Sequence, residues 1–342
     1  MEKEMPNSNL IPYPLKCLPI YREKPWGGRK MEKIFGKPLP PGKPIGEAWE
    51  VADLPQGSSF IANGSLKGEN LSYATALWGK LLIGESWKND KQFPLLVKIL
   101  DAREKLSVQV HPDENSCKKF FPQHLRKDES WIVLHADPEG GIYKGFKKGT
   151  TLQDFLDSLE KGKVENILNR LSVKKGDFIR IPPGTVHTLL NGVMLLEIQE
   201  PSDSTFRIFD YGRIVNGKPR TLHIEEAKKT LVFPRPKTSL PKPEKVTASW
   251  GIREILADTP AYRIERWTIS KSVEFGETGE SARVIFCARG EIFLQNELAS
   301  FSLNPGETAI IPSGTTLVSL NAPKGAEIVS AGAQGTAPRF LS

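Results

Sequence analysis

Gln109-Val110-His111-Pro112 carries two metal-capable side chains two residues apart. Successive side chains of an extended strand alternate faces, so Gln109 and His111 point to the same side. Glu129 opens another apolar run after a loop from Asp113 to Asp128, and His187 follows the Pro182–Thr185 turn. An amide oxygen, two imidazoles and a carboxylate make a four-donor set suited to zinc and compatible with other divalent first-row metals. The remaining three of the five histidines, His124, His135 and His223, lack such company. His135 lies about 20 Å from Glu129 at strand rise, too far to share an ion with it. Taken singly, a histidine on a strand is more often an ordinary core or surface residue than a ligand.

An internal repeat argues otherwise for His187. Gly176–His187 (GDFIRIPPGTVH) is echoed 130 residues later by Gly306–Leu317 (GETAIIPSGTTL). Each copy reads as a turn, a short apolar strand, a tight Pro-x-Gly-Thr turn and a further strand. Such repetition predicts two small β-barrels or sandwiches of related design. Leu317 stands where the first copy has His187. One copy reads as a working site, the other as scaffold.

The elements around these residues follow from pattern. Phe93–Ala102, Lys105–Pro112 and Glu129–Pro138 are β-branched runs bounded by charge and proline, and read as strands. Over Thr151–Ser172 the apolar residues Leu152, Phe155, Leu156, Leu159, Ile167, Leu168 and Leu171 fall at helical spacing, broken near Gly162. Thr151 and Asp154 form an N-cap pair, which predicts one or two short helices inserted in a β fold. His223–Val232 predicts another short helix. Pro234–Glu244 has four prolines in eleven residues and reads as an extended linker. Beyond it, Ala261–Lys271, Ser281–Ala288 and Glu291–Gln295 resume the strand pattern. The expected organisation is a larger β domain over residues 1–240, with its helical insertion near 151–172, and a smaller all-β domain over 246–342.

Composition narrows the class. The 342 residues suffice for two cores, and 39% hydrophobic with 25% charged residues is an ordinary globular balance. Met1–Pro14 has no apolar signal region, and no run nears the roughly 20 residues that span a bilayer. Three scattered cysteines form no CxxC pair, so a reduced, cytoplasmic setting is expected. The net charge of +7 is spread over separated lysine pairs without interleaved aromatics, which favours solvated surface over a nucleic-acid patch. It would also suit a small anionic substrate. Lys98 inside the apolar run Leu95–Leu100 must either snorkel to an edge or face a polar pocket. Arg207, between Phe206 and Ile208, could be a surface charge or a site residue.

Seven segments together resemble the short bacterial form of the type I phosphomannose isomerase (mannose-6-phosphate isomerase) family. They are Lys24–Gly28 (KPWGG), Gly46–Glu50 (GEAWE), Phe93–Asp101 (FPLLVKILD), Ser107–Asp113 (SVQVHPD), Lys127–Trp131 (KDESW), Pro182–Thr188 (PPGTVHT) and Leu196–Arg213. They span roughly residues 20–215 in the family's order, while the last hundred residues match only as a degenerate second cupin. The resemblance implies a mainly β fold of two cupin-type jelly-roll barrels and one Zn2+ per chain on Gln109, His111, Glu129 and His187. It implies catalytic roles for Arg207, Lys127 and Asp203, and substrate binding by Lys98 and Glu197. It further implies a sugar-phosphate substrate, no nucleic-acid or membrane partner, and a monomer or weak homo-oligomer. Two departures stand out: Asp128, where many members have proline, and Glu200-Pro201, where short forms often have polar residues.

The implied reaction interconverts mannose 6-phosphate and fructose 6-phosphate, moving a proton between C2 and C1 through an ene-diolate. Its developing negative charge calls for fixed positive partners, which a zinc ion and an arginine supply. Arg207 stays protonated and is expected to stabilise charge, leaving Lys127, Asp203 or a water on the metal to shuttle the proton. The alternatives are a catalytically silent cupin binding a sugar or sugar phosphate, and an iron or manganese oxygenase.

Overall fold

The computed structural model describes residues 11–87, 91–233, 243–276, 278 and 280–341. Most of the predicted linker lies outside these residues. The chain divides into two compact units. One comprises Pro19–Ser59 and Leu95–Pro243, the other Met1–Leu18, Phe60–Pro94 and Glu244–Ser342.

The first unit holds every candidate site residue. Besides two short hairpins, its strands are β1 (Ile20–Gly28), β2 (Ile45–Val51), β3 (Leu96–Asp101), β4 (Val108–Val110), β5 (Glu129–Ala136), β6 (Gly141–Phe146), β7 (Leu168–Ser172), β8 (Phe178–Ile181), β9 (His187–Leu189), β10 (Val193–Gln199) and β11 (Phe206–Phe209). They form a six-stranded sheet in the order β8-β5-β10-β3-β2-β1 and a five-stranded sheet in the order β7-β6-β9-β4-β11, all pairings antiparallel. The two sheets face one core. Leu100, Trp131, Val133, Ile179 and Leu195 from the larger sheet pack with Ile142 and Leu189 from the smaller. This is the two-layer arrangement expected of a jelly roll.

Period-two alternation explains how a polar site forms inside such a core. On β3 and β10 the residues two apart from core Leu100 and Leu195 are Lys98 and Glu197, which therefore share the inner face. The inner face is thus apolar at one end of these strands and charged at the other. In the five-stranded sheet Val108, Val110, Phe206 and Ile208 turn outward to a second cluster with Phe155 and Ala227, which lie on helices. Gln109 and Arg207 consequently turn inward.

The expected helix forms as Leu152–Glu160, opened by a capping box in which Thr151 and Asp154 each bond the other's backbone. Ile224–Thr230 is helical as well. The predicted helical spacing fails beyond Gly162. That glycine turns the chain at φ 62, a short 3-10 turn follows, and Leu168–Ser172 pairs with β6 as a strand. A ladder partner outweighed the local 3.6-residue spacing.

The second unit repeats the layout with an eight-stranded and a five-stranded antiparallel sheet around Trp250, Trp267, Phe275 and Ile285. Strand Thr308–Ile311 lies 130 positions after β8, in register with the sequence repeat. Leu15–Leu18 pairs with Thr308–Ile311 and with Phe60–Ile61, so early segments complete a sheet otherwise built from the end of the chain. That grouping in space cuts across a linear division at residue 240. Among the described residues no helix is long and apolar enough to cross a membrane.

Candidate metal centre and cavity

Two cross-strand rows bring the site together. Across the six-stranded sheet, Trp49, Lys98, Glu197 and Trp131 stand opposite one another on β2, β3, β10 and β5. Across the five-stranded sheet, Arg207, Gln109, His187 and Lys144 do the same on β11, β4, β9 and β6. Glu129, at the head of β5, shares the face of Trp131. His111 follows β4 by one residue.

His111, Glu129 and His187 are fully buried, with potential ligand atoms all within 4.8 Å of one another. Among the described residues they are the one group of three His, Cys, Asp or Glu so placed. His111 Nε2 is 3.2 Å from Glu129 Oε2, and His187 Nε2 is 3.1 Å from Glu129 Oε1. The other ring nitrogens face backbone carbonyls: His111 Nδ1 lies 2.9 Å from the Ser204 oxygen and His187 Nδ1 2.9 Å from that of Thr185. Facing an acceptor, each Nδ1 must carry the proton, so each neutral imidazole presents a lone pair at Nε2. That lone pair points at a carboxylate oxygen, which is also an acceptor. Two buried acceptors at this distance repel unless a cation lies between them. A proton is a poor candidate at His111, because burial and then Lys127 push that ring down to about 3. Neither Glu129 oxygen accepts a well-formed hydrogen bond, although both are buried. The residues therefore fit a divalent metal, with the imidazole orientations already set by backbone carbonyls.

Gln109 stands beside this group. Its amide nitrogen lies 3.2 Å from His187 Nε2, and turning the amide over would present Oε1 as a fourth donor. Lys127 Nζ is 2.9 Å from Glu129 Oε2 and 3.3 Å from His111 Nε2. Burial alone would raise the Glu129 pKa, but Lys127, His111 and His187 hold it well below the usual carboxylate range.

Next to this group, joined to it through Gln109 and Lys127, lies a cavity of about 230 Å³. Gln109 and Lys127 reach it, as do Lys98, Glu197, Asp203 and Arg207. The sequence-predicted residues thus converge, with Gln109 and Lys127 bordering both cavity and metal group. Lys98 Nζ is 3.4 Å from Glu197, whose other oxygen accepts from Trp131 Nε1 at 2.9 Å. Burial would lower the Lys98 pKa, but Glu197, Glu47, Asp203 and Glu129 raise it above its ordinary value. Burial, then the charge of Glu129, pushes Glu197 up. Asp203 is exposed at the rim.

Sequence reasoning missed Lys24, Glu47 and Arg220, which also line the cavity. Lys24 pairs with Glu47 at 3.0 Å, and Trp49 Nε1 donates to Glu47 at 2.8 Å. Glu47 carried a legible signal, a carboxylate inside the apolar strand Ile45–Val51 that parallels Lys98 in β3. Arg220 follows the short exposed strand Lys218–Pro219 and carried none.

The family model for phosphomannose isomerase type I, catalytic domain, matches residues 14–149. Mannose-6-phosphate isomerase of Streptococcus mutans is 34% identical over 298 residues, 85% of this chain and 90% of that protein. The crystal structure of mannose 6-phosphate isomerase from Bacillus subtilis superposes with a TM-score of 0.85 at 27% identity, over 93% of this chain and 99% of that one. A mannose 6-phosphate isomerase solved with zinc and yttrium shares the fold at a TM-score of 0.73 and 17% identity, over 94% of this chain and 99% of that one. With its buried His–Glu–His group next to a charged cavity, this chain belongs to the type I mannose-6-phosphate isomerase family.

Proposed function

We propose that the chain interconverts mannose 6-phosphate and fructose 6-phosphate with one zinc ion held by Gln109, His111, Glu129 and His187. The observation that carries this is the opposition of two imidazole Nε2 atoms and one buried carboxylate at 3.1–3.2 Å, joined through Gln109 and Lys127 to a cavity lined by charged side chains. Zinc bound there would act as a Lewis acid toward the oxygens of the open-chain sugar. A related protein solved with zinc supports the choice of metal.

The chain's own residues supply the rest. Lys98 and Glu197, locked together on adjacent strands, offer a donor and an acceptor to sugar hydroxyls. Lys127 places an N–H donor where cavity and metal group meet, and Asp203 offers a carboxylate at the rim. These two groups are placed to carry the proton between C2 and C1. Arg207 supplies a fixed positive charge for the ene-diolate oxygens. The silent-cupin alternative lacks support, because a binding relic has no use for a buried ligand set joined to these cations.

Elemental analysis tests the metal assignment. The purified protein should hold about one zinc per chain and the His187→Ala variant almost none. Unchanged zinc content in the variant would remove His187 from the ligand set.

A further inference from the structure

From β10 to β11 the chain runs through residues 201–205, which belong to no strand, yet this stretch meets the site twice. The Ser204 carbonyl accepts from His111 Nδ1 at 2.9 Å and so fixes which ring nitrogen faces Glu129. Its neighbour Asp203 borders the cavity. A segment outside any ladder needs another restraint to hold two such groups. The hydroxyls on either side of Asp203 supply it through the backbone of Leu125. Ser202 Oγ donates to the Leu125 carbonyl at 3.1 Å, and Ser204 Oγ accepts from the Leu125 N–H at 3.1 Å. The Ser204 N–H donates to Ser202 Oγ at 3.3 Å, which closes a ring of three hydrogen bonds. His124 Nδ1 stands 3.3 Å from Ser204 Oγ, and the fully buried Gln199 donates to the Ser202 carbonyl at 2.6 Å. The Leu125 side chain is exposed, so this residue contributes its backbone alone to the ring.

We propose that Ser202 and Ser204, clamped on Leu125, are positioning residues that hold the His111 imidazole and the Asp203 carboxylate in fixed relation to each other. This rests on the metal-dependent isomerase reading above and names residues outside both the ligand group and the cavity lining. A neutral imidazole has two tautomers, and a carbonyl at Nδ1 selects one only if the carbonyl itself stays in place. Proton transfer is as demanding, because a misplacement of about 1 Å can cost about 10²-fold in rate. Both demands fall on adjacent residues of one segment, and both are met by the same ring of hydrogen bonds. Loosening the clamp would therefore disturb metal ligand and proton carrier together, whereas a merely structural clamp would change stability alone.

The test uses the full chain and the variants Ser202→Ala, Ser204→Ala, Ser204→Thr and the double Ser202→Ala/Ser204→Ala, each checked for unchanged circular dichroism. Zinc affinity, measured by competition with a chelating indicator, should fall about tenfold in each alanine variant. In zinc-saturated enzyme kcat should fall about tenfold, with KM changed by less than about threefold. Ser204→Thr keeps the hydroxyl and should return both quantities to near wild type. Because the serines act as one clamp, the double variant should lose less than the product of the single effects. Nitrogen-15 NMR of metal-free protein should show His111 protonated at Nδ1 in the wild type and as a mixture of tautomers in the double variant. Lowered thermal stability with unchanged zinc affinity, kcat and tautomer would overturn the proposal. If the double variant does not fold, Ser204→Ala and Ser204→Thr carry the comparison, and equal zinc affinity and kcat in the two would overturn it. The NMR arm needs neither metal nor substrate. A shifted tautomer in the double variant of a protein whose wild type does not turn over mannose 6-phosphate would uphold the clamp and contradict the isomerase reading.

Discussion

Arg207 lies between two outward-facing core residues, yet its guanidinium is half-buried and pairs with no acid among the described residues. A structural ion pair would look different. Arg207→Ala should therefore lower kcat by about 10²–10³ with zinc still bound and KM changed less, the pattern of a contact used mainly in the transition state. Near-normal kcat in the coupled assay would take Arg207 off the catalytic list. His111 and Glu47 set an acid-stability expectation. Burial and Lys127 push His111 from 6.5 down to about 3, so only the unfolded chain takes up that proton in between. Stability of the metal-free protein should fall as pH drops through this window. Glu47 runs the same way lower down. Burial would raise it, but Lys98 and Lys24 hold it at about 2 against 4.5, so its contribution is lost as pH falls from 4.5 toward 2. Urea unfolding of metal-free protein should show both losses, with Glu47→Gln flattening only the lower one. Stability that does not change between about pH 7 and 4 would contradict the buried, neutral His111.

Between Lys127 and Glu129, the fully buried Asp128 anchors the segment that delivers both to the site. Its carboxylate takes Arg180 at 2.6 Å and Arg126 at 3.2 Å, and its N–H donates to Glu200 Oε2 at 2.9 Å. A proline at 128 would have no N–H to give. The chain's two departures from the family pattern are thus the two ends of one hydrogen bond, with Arg126 bridging them through Glu200 at 2.9 Å. Asp128→Ala should destabilise the protein by about 1–3 kcal/mol, the usual effect of losing charge-assisted hydrogen bonds to partly exposed arginines. It should also weaken zinc retention about 10- to 100-fold, measured by competition with a chelating indicator. Normal retention would show that the anchor does not position Glu129. At this scale the sequence was legible where chemistry and alternation coincide: Gln109 on a strand with His111 just past its end, Lys98 in an apolar run, the Thr151–Asp154 cap. It was not legible where a distant partner decides. Leu168–Ser172 carries helical spacing but joins β6, and Arg220 reaches the cavity from just past the short strand Lys218–Pro219, whose residues look like any exposed loop.

The same limit applies to the whole chain. The repeat revealed two related sheet pairs, but nothing local in Leu15–Leu18 says that it completes the sheet of Thr308–Ile311. Nor does Leu82-Ile83 announce its backbone bonds to Ser313 and Ala282, at 3.0 and 2.8 Å. Ending the chain near residue 240 should strip these segments of their partners while keeping all four proposed ligands. The truncated protein should then lose solubility and become cleavable by protease across residues 60–87. Solubility and protease resistance equal to the full chain would contradict the grouping. The central claim, a metal-dependent isomerase of mannose 6-phosphate, is tested most directly by one coupled assay of fructose 6-phosphate formation from mannose 6-phosphate. It is run on the full chain as purified, after chelation, and after zinc is restored. The account predicts turnover that vanishes on chelation and returns with about one equivalent of zinc. Turnover unaffected by complete metal removal, or its absence in the zinc-loaded, folded protein, would contradict it.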